Sequence, residues 1–334
     1  MTINWNKYLL DQISLKFYYR KYSQLPLQPS YFHAPLLLPS LIKNLPSSFR
    51  DFARFIKVNR IPSSILSYSG KLPAISLLIV VAHKDFENLK LCIAQILKHS
   101  LNPISKVEIV VPESDLASCR KILEQIQLQI PISLINEDEV INVQLREKMK
   151  SKLKHKYGWA LQQLLTLHMV MRSDCCGVLA VDADTFVLRD QVWLNDKFTQ
   201  VLFQSPEFHV PYYKVINKVF PKLDTISYSH ITHHMLFQPE LLREFLTKNG
   251  YVDSADVMIQ VLESFDKLQE SPFCIEFEPY AQFLHDSHKD RFELRRFSNS
   301  NFSTKENNVS ITELIQSLDN HNFYNSINFH SWNN

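Results

Sequence analysis

The chain has 334 residues, a formal net charge of +2, and is 45% hydrophobic and 12% aromatic. That content supplies a sizeable core for one large α/β domain or two smaller ones and excludes wholesale disorder. Its four glycines, Gly70, Gly158, Gly177 and Gly250, cannot be written as G-x-G-x-x-G or G-x-x-x-x-G-K-[ST], which excludes a glycine-rich phosphate cradle.

Residues 1–71 stand apart. They carry ten Lys/Arg against two acids, Asp11 and Asp51, with six prolines between Pro26 and Pro62 and many aromatics such as Trp5, Tyr18 and Tyr22. Basic and aromatic residues together suit contact with an anionic membrane surface or an acidic partner. The plainer alternative is an irregular extension wrapped on the main domain with its charges in solvent. No motif accompanies the charge that would point to nucleic acid. We therefore expect a basic extension over residues 1–72 and a domain over 73–334.

From Ala74 the pattern is βα-like. Ala74–Ala82 is an apolar strand followed by the polar turn His83-Lys84-Asp85, and Phe86–His99 repeats apolar residues at helical spacing. Lys106–Val111 is a second strand, Ser114–Gln127 a helix, and Ile132–Ile135 a third strand ending in Asn136-Glu137-Asp138-Glu139. A helical stretch over Val143–Met171, with a break expected near Gly158, leads into an apolar strand bearing Asp182-Ala183-Asp184-Thr185. Beyond it the spacing predicts a tyrosine-rich strand or loop over Phe208–Val215 and helices over Glu240–Lys248 and Asp253–Lys267, the latter with Ser254 as a cap. A helix over Tyr280–Ser287, a strand over Phe292–Phe297, a helix over Thr312–Leu318 and a strand over Ser326–Trp332 complete the reading. Five cysteines form no C-x-x-C pair and read as reduced thiols. The longest apolar run is far short of the roughly 20 residues of a membrane span, and Met1–Leu10 has no signal-peptide core. Composition thus leads us to expect a cytoplasmic protein, at most peripheral on a membrane.

Alternation along a strand would put Asp182 and Asp184 on one face, where two close carboxylates call for a cation; hard oxygen ligands suit Mg²⁺ or Mn²⁺. A strand simply ending in a polar turn is the alternative. A mostly parallel sheet places ligands beyond the carboxyl ends of its strands, and Asp182/Asp184, His83/Lys84/Asp85 and Asn136–Glu139 all fall there. Gln162 and Gln163 diverge by about 100° on one helix, so one can face the cleft while the other faces solvent. His233 and His234 are neighbours on a strand and point to opposite faces.

With Gly158-Trp159 and Gln162-Gln163 ahead of the acidic strand, Asp182-Ala183-Asp184-Thr185 on it, and Thr232-His233-His234-Met235-Leu236-Phe237 and Glu276-Phe277-Glu278-Pro279-Tyr280 after it, the chain resembles the GT-A glycosyltransferases. It is similar in particular to a group of bacterial glycosyltransferase-like proteins. The resemblance covers residues 74–332. It implies a GT-A-like, Rossmann-like α/β fold, mixed but mainly parallel and flanked by helices, with a nucleotide-binding half over 73–190 and an acceptor-binding half over 191–334. It further implies transfer of a sugar from a nucleotide-diphosphate donor to a glycan or lipid-linked acceptor, with Mn²⁺ or Mg²⁺, in building bacterial surface polysaccharide. Asp182, Asp184 and His330 would ligate the metal. His83, Asp85, Asp138, Gln162, Gln163, Asp182, His233 and His234 would line the donor site. Glu278 would be the base for an inverting transfer, with Asp184 completing the catalytic pair. Two other readings compete. One is a haloacid-dehalogenase-like phosphatase, whose hydroxyl should fall two residues after the second aspartate rather than immediately, as Thr185 does. The other is a non-catalytic binding protein on the same fold.

Overall fold

The computed structural model describes residues 64–126, 129–205, 210–223, 229–265, 272–296, 299–302, 310–319 and 324–329. At its centre is a five-stranded sheet with the order β3-β2-β1-β4-β7. Strands β1 (Ile75–Val80), β2 (Ile104–Val111), β3 (Ile132–Asn136) and β4 (Val178–Val181) are parallel, and β7 (His234–Phe237) runs antiparallel beside β4. The expected architecture is thus present: an α/β chain with a mainly parallel sheet flanked by helices. Two small sheets accompany it. One joins β5 (Thr185–Val187), β10 (Ser326–Phe329) and β9 (Asn299–Phe302), and the other joins β6 (Gln200–Gln204) and β8 (Phe292–Arg296).

Strand alternation feeds two cores, one on each face. Leu78, Val110, Val178, Ala180, Met235 and Phe237 pack with helices α5 (Tyr157–Met171), α6 (Val210–Val219), α7 (Pro239–Lys248), α8 (Ser254–Ser264) and α9 (Phe277–Ser287). Leu77, Ile79, Ile109, Leu179, Val181 and Leu236 pack on the other face with α1 (Phe86–His99), α2 (Leu116–Leu123) and α10 (Ile311–Asp319). A short helix α3 (Glu137–Val140) and helix α4 (Val143–Leu153) lie between β3 and α5.

Several local expectations change. The break in the long helical stretch sits at Lys154, whose φ of 51° ends α4 before a 3₁₀ turn over Lys154–Lys156. Gly158 instead lies inside α5, where an added Cβ would meet nothing within 4 Å. Residues Val210–Val219 form a helix rather than a strand or loop. Tyr213, Ile216 and Val219 are buried at three-residue spacing, and Pro211 falls in the first turn, where its missing N–H costs nothing. The cap of α8 is Asp253, one residue earlier than expected; its carboxylate accepts from Ala255 and Asp256, and Asp256 returns the bond. All five cysteines are free, including adjacent Cys175 and Cys176.

The described end of the basic extension is tied to the domain. Leu66 is fully buried, Arg295 donates to the Ser64 carbonyl, and Asn195 donates to the Ser67 carbonyl. Asp196 Oδ2 accepts from Ser69 N, Ser69 Oγ and Gly70 N. Among the described residues no helix is long and apolar enough to cross a membrane.

Candidate active site

Because β1 to β4 are parallel and β7 is not, four strand ends and one strand start share a single edge. Val181, the last residue of β4, pairs with His234, the first of β7, so Asp182 and His233 leave the sheet side by side. Asp182 N donates to His233 O at 2.9 Å. His233 has φ of 61°, a left-handed backbone costing of order 1 kcal/mol that persists only where its surroundings fix it. That twist turns its imidazole toward the acidic residue, and Nδ1 lies 3.2 Å from Asp182 Oδ2.

The acidic pair is not on a strand. Thr185 N donates to the Asp182 carbonyl at 3.0 Å, closing a turn that carries the chain from β4 into β5. The expected strand alternation is therefore replaced by turn geometry. Within it Asp182 and Asp184 are half-buried, while Ala183 and Thr185 point inward. Burial and then the charges of Asp184 and Asp182 push the Cys92 thiol far up. The turn is pinned from the far side by β10, where Phe329 N donates to Asp184 O at 3.0 Å and Asn328 Nδ2 to Thr185 Oγ1 at 2.8 Å. His330 lies outside the described residues.

Helix α5 begins at this edge and runs away from it. Gln162, in its second turn, donates to Asp182 Oδ1 at 2.6 Å. Asp182 is thus gripped through both oxygens, by Gln162 and His233. Gln163 does not face solvent. It is buried, accepts from Ile275 N at 2.8 Å and donates to Phe273 O at 3.4 Å, so it clamps the segment that leads into α9.

That clamp delivers Glu276. It is 8% exposed, stands at the N-terminal cap position of α9 without a side-chain capping bond, and its Oε2 makes no hydrogen bond among the described residues. Burial, and next the charge of Asp182, push its pKa well above the usual carboxylate range, opposed by the Thr166 hydroxyl. Glu278, two residues on, has another setting. It is fully buried and accepts from Tyr213 Oη (2.7 Å), His230 N (2.7 Å), Gln282 Nε2 (3.1 Å) and Ser229 Oγ (3.4 Å). Burial raises its pKa and these donors oppose the rise. A carboxylate so occupied ties α6, α9 and the 229–230 segment together.

The remaining expected residues divide. His83 and Asp85 form the 3₁₀ turn after β1, with the His83 ring 5.2 Å from that of Phe86 and Asp85 3.7 Å from Lys84. Asp138, after β3, is ion-paired with Arg146, and its N–H is capped by Asn136 at 3.0 Å. His234 is buried against Trp193 and Phe203 at 5.2 and 5.4 Å, and burial takes its pKa down to about 3. It is part of the core. Asp182, Asp184, Gln162 and His233 come together, with His83, Asp85 and Asp138 on the same edge, whereas Gln163, His234 and Glu278 turn inward. Sequence reasoning passed over Glu276 in favour of its neighbour. The pull came from Pro279-Tyr280, yet the Tyr280 hydroxyl is spent on Gln200 and Gln238.

Hard oxygen donors from Asp182 and Asp184 in one turn fit a divalent cation. Among the described residues no group of three His, Cys, Asp or Glu is arranged to hold a metal. Two carboxylates with open positions suit a cation shared with a substrate's oxygens.

Many solved structures are similar to the chain, among them the following three. Mouse xyloside xylosyltransferase 1, apo form, is 10% identical over 78% of this chain and 98% of its own, with a TM-score of 0.44. The galactosyltransferase LgtC, solved with donor and acceptor sugar analogues, is 10% identical over 76% and 86%, with a TM-score of 0.41. The mannosyltransferase Ktr4p from S. cerevisiae is 9% identical over 71% and 75%, with a TM-score of 0.48. No protein-family model matches the chain, and no curated protein sequence does.

Proposed function

We propose that this chain is a metal-dependent glycosyltransferase that moves a sugar from a nucleotide-diphosphate donor to a glycan or lipid-linked acceptor. The observation that carries the reading is the grip on Asp182. A half-buried carboxylate held through both oxygens, beside a second carboxylate in the same turn and a third buried one nearby, is costly to assemble without a ligand.

Asp182 and Asp184 would hold Mn²⁺ or Mg²⁺, with His330, next in the chain after Phe329, as the third ligand. When bound, the cation stabilises the charge that builds on the departing diphosphate. Gln162 and His233 fix the orientation of Asp182, the service that groups behind metal ligands commonly provide. His83, Asp85 and Asp138, beyond β1 and β3, would recognise the nucleoside. The base role moves from Glu278 to Glu276, whose Oε2 is buried near Asp182 and has an unused acceptor for the acceptor hydroxyl's proton. With a lipid-linked acceptor, basic residues 1–71 would rest on an anionic membrane. Synthesis of bacterial surface polysaccharide is the role we assign by resemblance.

A turnover screen tests this. Nucleotide-sugars are supplied with Mn²⁺, Mg²⁺ or EDTA, and free nucleotide diphosphate is measured. At least one donor should be cleaved with metal and none in EDTA. Cleavage of phosphomonoesters with nucleotide-sugars untouched would overturn the proposal in favour of a phosphatase.

A further inference from the structure

Trp159 lies three residues before Gln162 on α5. Residues at that spacing are neighbours on one helix face, separated by about 4.5 Å along the axis. Since α5 starts at the carboxyl edge and Gln162 reaches Asp182, Trp159 stands about one turn nearer the start of the helix. It is only partly buried. Its ring lies 5.1 Å from Phe273 at 50° and 6.1 Å from the partly buried Tyr212 at 31°. Phe273 is fully buried and packs against the indole, while Gln163 donates to the Phe273 backbone. The same segment continues within three residues to Glu276 and its unpartnered Oε2.

We infer that Trp159, backed by Phe273 and flanked by Tyr212, is a stacking wall for a pyranose ring of the acceptor, holding the sugar's hydroxyl face toward Glu276. This rests on the reading of the site as a sugar transferase and adds which part of the substrate is held there. The chemistry is that of an aromatic face, which is electron-rich and attracts the weakly positive C–H bonds lining one side of a pyranose. A wall with two rigid rings gives such contact at low conformational cost. The donor's nucleobase could also stack on indole, but Trp159 packs against Tyr212 of α6 and Phe273 before α9. Both of its ring partners come from the second half of the chain, one on α6 and one on the segment that leads to Glu276.

Saturation-transfer NMR on the full chain tests it, with Mg²⁺ and, in turn, UDP, GDP, CDP and dTDP. Methyl pyranosides of the gluco, galacto and manno series are added in both anomers. At least one pyranoside should receive saturation concentrated on one ring face. Its affinity should fall about tenfold in Trp159→Ala, less in Tyr212→Leu, and stay within about threefold in Trp159→Phe, which keeps the packing on Phe273. Pyranoside binding that is absent from the wild type, or unchanged in Trp159→Ala, would overturn the wall. Loss of saturation on the base protons of the diphosphate in Trp159→Ala would overturn it in favour of nucleobase stacking. A wild-type chain that binds no diphosphate counts against the transferase reading itself, and the pyranoside signals report separately on the wall.

Discussion

The two edges of the central sheet use polar residues in opposite ways. At the amino edge, polar groups are consumed by backbone. Asn102 donates to Pro73 O and Leu194 O at 3.0 and 2.7 Å and accepts from Trp193 N and Leu194 N at 2.8 and 3.2 Å, while Asp196 ties down Ser69 and Gly70. A cavity of about 420 Å³ opens there, lined by Lys71, Ala74, Pro103, Asp196 and Phe198. At the carboxyl edge, side chains hold side chains. Gln162 and a strained His233 hold Asp182, and Glu276 is buried nearby with an oxygen unspent. The first arrangement spends side chains on backbone groups, and the second accepts strain and like charge for the sake of position. Under the proposed function, stability and chemistry fall to different ends of the same strands.

The sharpest way to break that division is to remove a group from each end. Asp184→Ala should lower turnover by about 10²–10³-fold, as loss of a main electrostatic group does, and leave stability within about 0.5 kcal/mol. Asn102→Ala should do the reverse. It strands four buried backbone groups and should cost about 3 kcal/mol in urea unfolding, with activity per folded molecule unchanged. A crossed result, in which Asp184→Ala unfolds the chain or Asn102→Ala spares it, would dissolve the comparison.

His233→Gly probes strain at the functional edge. Relief of the left-handed backbone offsets the lost side chain, so stability should shift by less than about 1 kcal/mol. Metal affinity should fall about tenfold because Asp182 loses one of its two guides. An unaltered metal titration would remove His233 from the site.

The core beside β6 gives a pH-dependent effect. His230 Nδ1 faces the Phe203 carbonyl at 2.9 Å and must carry the proton there, which leaves Nε2 to accept from His285 Nε2 at 3.1 Å. Burial lowers His230 to about 4 and His285 to about 3, the latter also through His230 and Lys289. A histidine depressed on folding contributes its full stability above the unfolded value near 6.5 and loses it as pH falls toward 4. The loss reaches about 1.4 kcal/mol per pH unit for His230. Glu276 and Glu278, raised on folding, act with the opposite sign and soften the fall. Tm should therefore drop between pH 6.5 and 4.5. A flat or rising profile would mean that these imidazoles are not buried neutral.

Much of this was legible in the sequence, for identifiable reasons. The βα units were readable because buried parallel strands are continuous apolar runs, and α1 was marked by Leu89, Cys92, Ile93 and Ile96 at helical spacing. The acidic pair and its edge followed from that order. The turn at Asp182–Thr185 did not, because Ala183, Thr185, Phe186 and Val187 continue the strand's composition while the chain leaves one sheet for another. Helix α6 was obscured by tyrosines and a proline that also suit strands. The choice between Glu276 and Glu278 depends on which carboxylate finds four donors in the tertiary fold, and nothing local to Glu276-Phe277-Glu278 encodes that. The inward turn of Gln163 likewise needs Phe273 and Ile275, more than 100 residues away.

The central claim is that the acidic turn binds a nucleotide diphosphate through a divalent cation. Calorimetric titration of UDP, GDP, CDP and dTDP into wild type and Asp184→Ala, each with Mn²⁺ and with EDTA, tests it most directly. The account predicts that one diphosphate binds wild type in Mn²⁺, and that EDTA or Asp184→Ala abolishes the heat. Diphosphate binding of equal strength in all four conditions would contradict it.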